Sequence, residues 1–84
     1  MPTISIFYGT IIFFNLTRKE DQPPHIHAKY GEYEATFLLE NGEVYKGEMP
    51  LRAQRMIKEF ISLYKKELQN MWDTETYTKL KGLE

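Results

Sequence analysis

The chain has no cysteine, so neither a disulfide framework nor a thiolate zinc site is open to it. No apolar run approaches the roughly 18 residues of a membrane-spanning helix. The opening MPTISIF has no basic stretch of the kind that starts a secretory signal peptide. Strong charge of one sign is missing too. Eleven Lys and Arg stand against twelve Asp and Glu, a net of -1, so no global field draws in a polyanion. P-loop, Rossmann glycine, Gly-x-Ser-x-Gly and zinc-helix patterns are all absent, as are internal repeats. The expectation is a cytoplasmic protein that does not engage a membrane, with no cofactor assigned.

What remains is enough for one folded unit. Eighty-four residues, 42% hydrophobic and 27% charged, exclude a disordered tail and fit a single domain over residues 1–84. The charge is unevenly spread. Residues 1–49 carry four basic and seven acidic side chains, whereas residues 50–72 carry five basic (Arg52, Arg55, Lys58, Lys65, Lys66) and two acidic. A basic stretch of this size reads first as a solvated helix face and second as a local anion site.

The first fifteen residues are rich in Ile and Phe and poor in helix formers, so they read as extended. Gly9 is either the second residue of a tight Tyr8-Gly9 hairpin, pairing Phe7 with Thr10, or a bulge in one longer strand. Residues 17–24 are polar and end in two prolines, which makes a loop. Strand signals then recur from His25 to Gly47, and all strands fall within 3–47. Pro50 opens a helix where a missing N–H costs least. Ala53, Met56, Ile57, Phe60, Ile61, Tyr64, Leu68, Met71 and Trp72 form one apolar stripe at helical spacing, which predicts a helix over about 50–71. Arg52, Arg55, Glu59, Ser62 and Lys66 fall opposite. A short tail covers 73–84.

Two hairpins can be written with register. Gly31-Glu32 suits a type II′ turn and places Tyr30 opposite Tyr33, Lys29 opposite Glu34, Ala28 opposite Ala35, His27 opposite Thr36 and Ile26 opposite Phe37. Asn41-Gly42 signals a type I′ turn, placing Leu39 opposite Val44, Leu38 opposite Tyr45 and Phe37 opposite Lys46. Alternation then puts Ile26, Ala28, Tyr30, Tyr33, Ala35, Phe37, Leu39 and Val44 on one face. His25, His27, Lys29, Glu34, Thr36, Leu38 and Tyr45 fall on the other, where Lys29 and Glu34 make a cross-strand ion pair. Lys46 on the apolar side is the exception. The stripe of the helix must lie on the apolar face, because no second long helix is available to receive it. The fold class is α+β: an antiparallel meander of four to five strands packed on one C-terminal amphipathic helix.

Both histidines of the chain sit in Pro23-Pro24-His25-Ile26-His27. At i and i+2 of a strand they share a face, with Cα atoms roughly 6.6 Å apart. Imidazole combines proton transfer near neutral pH with metal binding. The pair suits an acid–base couple, two ligands of a metal that would need a third such as Glu34 or Glu43, or a strand-edge pair bonded to Thr36 or a backbone carbonyl. Tyr45 reaches the same face two strands away. Arg52 and Arg55 lie about one turn apart at the helix start, a place suited to an anion.

The segments Met1-Pro2-Thr3-Ile4-Ser5, Phe7-Tyr8-Gly9, Pro23-Pro24-His25-Ile26-His27-Ala28, Tyr30-Gly31-Glu32-Tyr33-Glu34-Ala35, Gly47 with Pro50, and Glu67-Leu68 with Trp72 resemble the short bacterial proteins of domain of unknown function 4160. That family usually has Phe where this chain has Ile26, and often Trp where Phe60 stands. Its members are often encoded beside another small protein, an arrangement similar to toxin–antitoxin pairs. The resemblance therefore implies a small protein partner from a neighbouring gene.

Three readings follow. The first is a binding module of a toxin–antitoxin-like pair, using the histidine face and the helix start. The second is a small RNA hydrolase with His25 and His27 as the catalytic base and acid, and Arg52 or Arg55 on the phosphate. The third is a metal-binding protein centred on the histidines. Glu34, Thr36 and Tyr45 complete the candidate surface. Pairing of an exposed strand edge with a second copy, giving a homodimer, is left open.

Overall fold

Two residues in the left-handed region decide how the chain begins. In the computed structural model, which describes residues 2–14 and 22–83, Tyr8 and Gly9 have φ of 47° and 76°. A type I′ turn requires such a pair. The hairpin is therefore the conformation adopted. β1 (Thr3–Phe7) pairs antiparallel with β2 (Thr10–Phe13), Phe7 opposite Thr10 and Ile6 opposite Ile11. Residues 17–21 of the expected loop lie outside the described residues.

β3 (His25–Tyr30) and β4 (Tyr33–Leu38) meet in the expected register, all five pairs, with His25 opposite Leu38 as a sixth. Positive φ at Gly31 but not at Glu32 matches the II′ turn. β5 (Val44–Gly47) completes an antiparallel sheet in the order β1-β2-β3-β4-β5.

The last hairpin departs from expectation. Phe37 lies opposite Val44, Thr36 opposite Lys46 and Ala35 opposite Gly47, with a bulge that leaves Tyr45 as the extra residue. Only Gly42 of the Asn41-Gly42 pair has positive φ, which rules out type I′. The turn is wider. The Leu38 N–H donates to the Glu43 carbonyl at 3.0 Å, and the Gly42 N–H donates to the Leu38 carbonyl at 2.9 Å. The Asn41 side chain accepts from the Glu43 N–H instead. Leu39 supplies the physical reason: it is 1% exposed, and its N–H bonds the Pro24 carbonyl, so the chain stays beside β3 for one residue more. Lys46 thereby leaves the apolar side and is exposed opposite Thr36.

The expected single helix is two, α1 (Leu51–Leu63) and α2 (Lys65–Thr74), parted at Tyr64. The Tyr64 N–H still bonds the Phe60 carbonyl, and the Leu68 N–H bonds the Tyr64 carbonyl. The apolar stripe thus runs through the break. Ala53, Ile57, Phe60, Ile61, Leu68 and Met71 are buried, and Met56, Tyr64 and Trp72 pack against them. The five residues expected on the opposite side are exposed. Phe60 stacks on Phe7 with centroids 5.1 Å apart, joining helix to sheet. α2 runs on past Met71 to Thr74, where Glu75 in the left-handed conformation closes it.

Residues 75–83 are docked on the domain. The Leu80 N–H donates to the Ile4 carbonyl on the outer edge of β1 at 2.7 Å, and the Tyr64 hydroxyl donates to the Lys81 carbonyl at 2.8 Å. Tyr77 packs on Phe14, and Leu80 and Leu83 reach the core. An edge strand offers unpaired backbone groups, and this segment occupies part of one such edge. No helix among the described residues is long and apolar enough to cross a membrane.

Thr10 is fully buried on the core face, and its hydroxyl has no hydrogen-bond partner. An unsatisfied buried hydroxyl costs about 1–3 kcal/mol. Thr10→Val keeps the β-branched shape and removes that group. Urea unfolding is expected to show the variant more stable by about 1 kcal/mol.

Candidate functional site

Pairing across the sheet arranges the side chains of the second face in rows. One row is Ile6, Ile11, Lys29 and Glu34, taken from β1 to β4. The next is Phe13, His27, Thr36 and Lys46, and beyond it lie His25 and Leu38. Exposure falls along this series. Ile6 is 64% exposed, whereas Phe13 is 5% and His25 7%.

The two histidines are brought together as their spacing requires, and rings enclose them. Phe13 stacks on His27 at 5.3 Å and 19°, His27 meets His25 at 5.2 Å, and His25 meets Trp72 of α2 at 4.9 Å. The His25 Nδ1 lies 2.8 Å from the Pro23 carbonyl. A carbonyl only accepts, so Nδ1 carries the hydrogen and a neutral ring keeps its lone pair on Nε2. The Thr36 hydroxyl is 3.5 Å from the His27 Nδ1, while the His27 Nε2 is buried with no partner. Charging His27 would place an N–H in surroundings that offer it no acceptor. Burial accordingly lowers its pKa below 6.5, and the neighbouring His25 lowers it further; Glu34, the acid on this face, acts in the opposite direction.

The geometry leaves His27 poorly placed for proton transfer. A general base or acid must present a nitrogen to substrate, and the His27 Nε2 is sealed. Among the described residues no group of three His, Asp or Glu is placed to hold a metal ion. Glu43, one of the two acidic ligand candidates, pairs instead with Lys58 at 2.9 Å. Glu34 and Lys29 stand opposite each other, both exposed.

The arginines do not join the histidines. Arg52 lines a cleft with Tyr8 and Tyr30, at the opposite end of β3 from His25. Five residue-to-residue steps of strand separate the two ends, about 17 Å. Arg55, one turn further along α1, is exposed. Tyr45 is 43% exposed in the β5 bulge, two strands from the histidines, with the Lys46 ammonium 5.7 Å from its ring centroid. Thr36 alone of the proposed binding residues touches an imidazole.

Sequence reasoning missed Phe13 and Trp72 as neighbours of the pair. Phe13 had a readable signal, the alternation of β2, but its partner in β3 depends on a register that the segment between the strands hides. Trp72 had none, since the helical stripe assigns it only to the core side.

Because the neutral form of His27 is favoured in the fold, the unfolded chain takes up its proton first as pH falls. The stability this neutral ring contributes is complete above pH 6.5 and is lost as pH falls through the lower folded value. Urea unfolding of the wild type between pH 7.5 and 5 should show this loss, and His27→Gln should show a shallower one.

Comparison with known proteins gives one match. A family model for a domain of unknown function, DUF4160, covers residues 9–73. No curated protein and no solved structure matches the chain. The matched span runs from the first turn through both histidines to Asp73, just past Trp72, and so takes in most of the sheet and nearly all of both helices: the chain belongs to the DUF4160 family.

Proposed function

We propose that this chain is a binding module for a small protein partner, encoded beside it in a toxin–antitoxin-like arrangement, and that the partner docks on the second face of the sheet. The observation that carries the reading is Ile6, 64% exposed, next to the half-buried Ile11 and in line with Lys29 and Glu34. An exposed aliphatic side chain with a half-buried one next to it, beside a pair of opposite charges, suits a protein interface with an apolar centre and a polar rim.

Nucleic acid fits this face less well. A phosphate-binding surface needs a stripe of uncompensated basic groups. Here Lys29 faces Glu34, Lys46 sits alone on β5, and both arginines of the helix start lie elsewhere.

The test is co-expression with the product of the adjacent gene, followed by titration calorimetry of the purified pair. Burying one Ile contributes about 1.5–3 kcal/mol, so Ile6→Asp is expected to weaken binding by about 10- to 100-fold. Lys66→Ala, exposed on α2, should leave it unchanged. A folded Ile6→Asp chain that binds as tightly as the wild type would remove the basis of this reading.

A further inference from the structure

A second feature lies at the other end of β3. A cleft of about 600 Å³ opens between the β1–β2 turn, Tyr30 and the start of α1. That volume is within the range of small-molecule sites, about 300–1,000 Å³. Its walls are Tyr8, Tyr30, Pro50, Arg52, Ala53 and Met56: two phenol rings, a thioether, small apolar surface and one cation. Among the described residues no carboxylate lines it.

Tyr8 is the unexpected member. Its position in a type I′ turn is one that Asn, Asp or Gly fills without strain. A bulky side chain at φ 47° is disfavoured; this one is 55% exposed and meets the Phe7 ring edge-on at 6.5 Å. What the residue does provide is a flat ring at the wall of the cleft. Tyr30, half-buried, supplies a second ring, close against Gly9 of the same turn. Arg52 is exposed in the first turn of α1, and no carboxylate among the described residues pairs with it. A guanidinium presents a planar fork that matches carboxylate and phosphate oxygens.

We propose that this cleft binds a small planar aromatic or heteroaromatic ring bearing a phosphate or a carboxylate. The ring lies against Tyr8 and Tyr30, where offset or edge contacts with aromatic faces are favourable, and Met56 adapts to its outline. The anionic group sits on Arg52. This site is separate from the partner-binding face, and it stands or falls independently of that reading.

The experiment is an NMR titration of the full chain with phenyl phosphate and with benzoate, using uncharged benzyl alcohol as the control. Saturable shifts are expected at Tyr8, Tyr30, Arg52 and Met56, with a Kd of about a millimolar or tighter for a ligand of this size. Either anion binding in this way supports the site, and the tighter of the two identifies the preferred group. Arg52→Ala should weaken binding by about tenfold, and Arg55→Ala, outside the cleft, should not. Tyr8→Asn relieves the turn, so its melting temperature should hold or rise while its affinity falls. The proposal is overturned if neither anion gives saturable shifts, if benzyl alcohol binds as tightly as the anions, or if Arg52→Ala binds like the wild type.

Discussion

Burial of the helical stripe against one face of the sheet is the contact on which the rest of the structure depends. Ile57, Phe60, Ile61 and Leu68 are buried in one cluster with Phe7, Ile12, Ile26 and Phe37 of the sheet. Because strand side chains alternate, committing one parity to the helices commits the other to the opposite face. The rows of Ile6 and His27 are consequences of that choice. So is the bulge in β5, which lets Val44 reach the core while Lys46 stays in water.

The two ends of the sheet differ in what closes them. At the end where β3 begins, the last turns of α2 reach Trp72 onto His25, so an imidazole on the polar parity is nonetheless buried. Dehydration there has a chemical result: His27 is held in its neutral form, and its Nε2 has no partner. At the end where β3 finishes, the first turn of α1 stands off from Tyr8 and Tyr30 and leaves a cleft with a guanidinium on its wall. The outer edge of β1 is treated differently again, with residues 75–83 occupying it in part through a single backbone bond and apolar contacts. A 10.0 kDa chain thus carries two separate surfaces, one flat and partly apolar, one concave and cationic.

Much of this was legible from local chemistry. The Gly31-Glu32 turn and the alternation around it predicted five cross-strand pairs correctly, because a two-residue turn admits one register. The apolar stripe predicted its buried residues one by one, because helical period is a property of neighbouring residues alone. Asn41-Gly42 misled for an instructive reason: its local preference for a tight turn competes with the burial of Leu39, and burial of a whole leucine outweighs a turn preference. Arg52, read at the helix start, stands apart from the histidines because no local pattern tells over which end of β3 the helix begins.

By itself the amino-acid sequence determined the fold class, the Gly31-Glu32 turn, the shared face of His25 and His27, and which side of the helix is dry. Each depends on residues close in the chain, where backbone geometry leaves few alternatives. Only the tertiary structure decided that His25 is buried, that Phe13 and Trp72 bracket the imidazoles, and that Arg52 belongs with Tyr8 and Tyr30. Those outcomes depend on where the ends of α1 and α2 fall over the sheet. That placement is set by the packing of the whole core and by no local pattern.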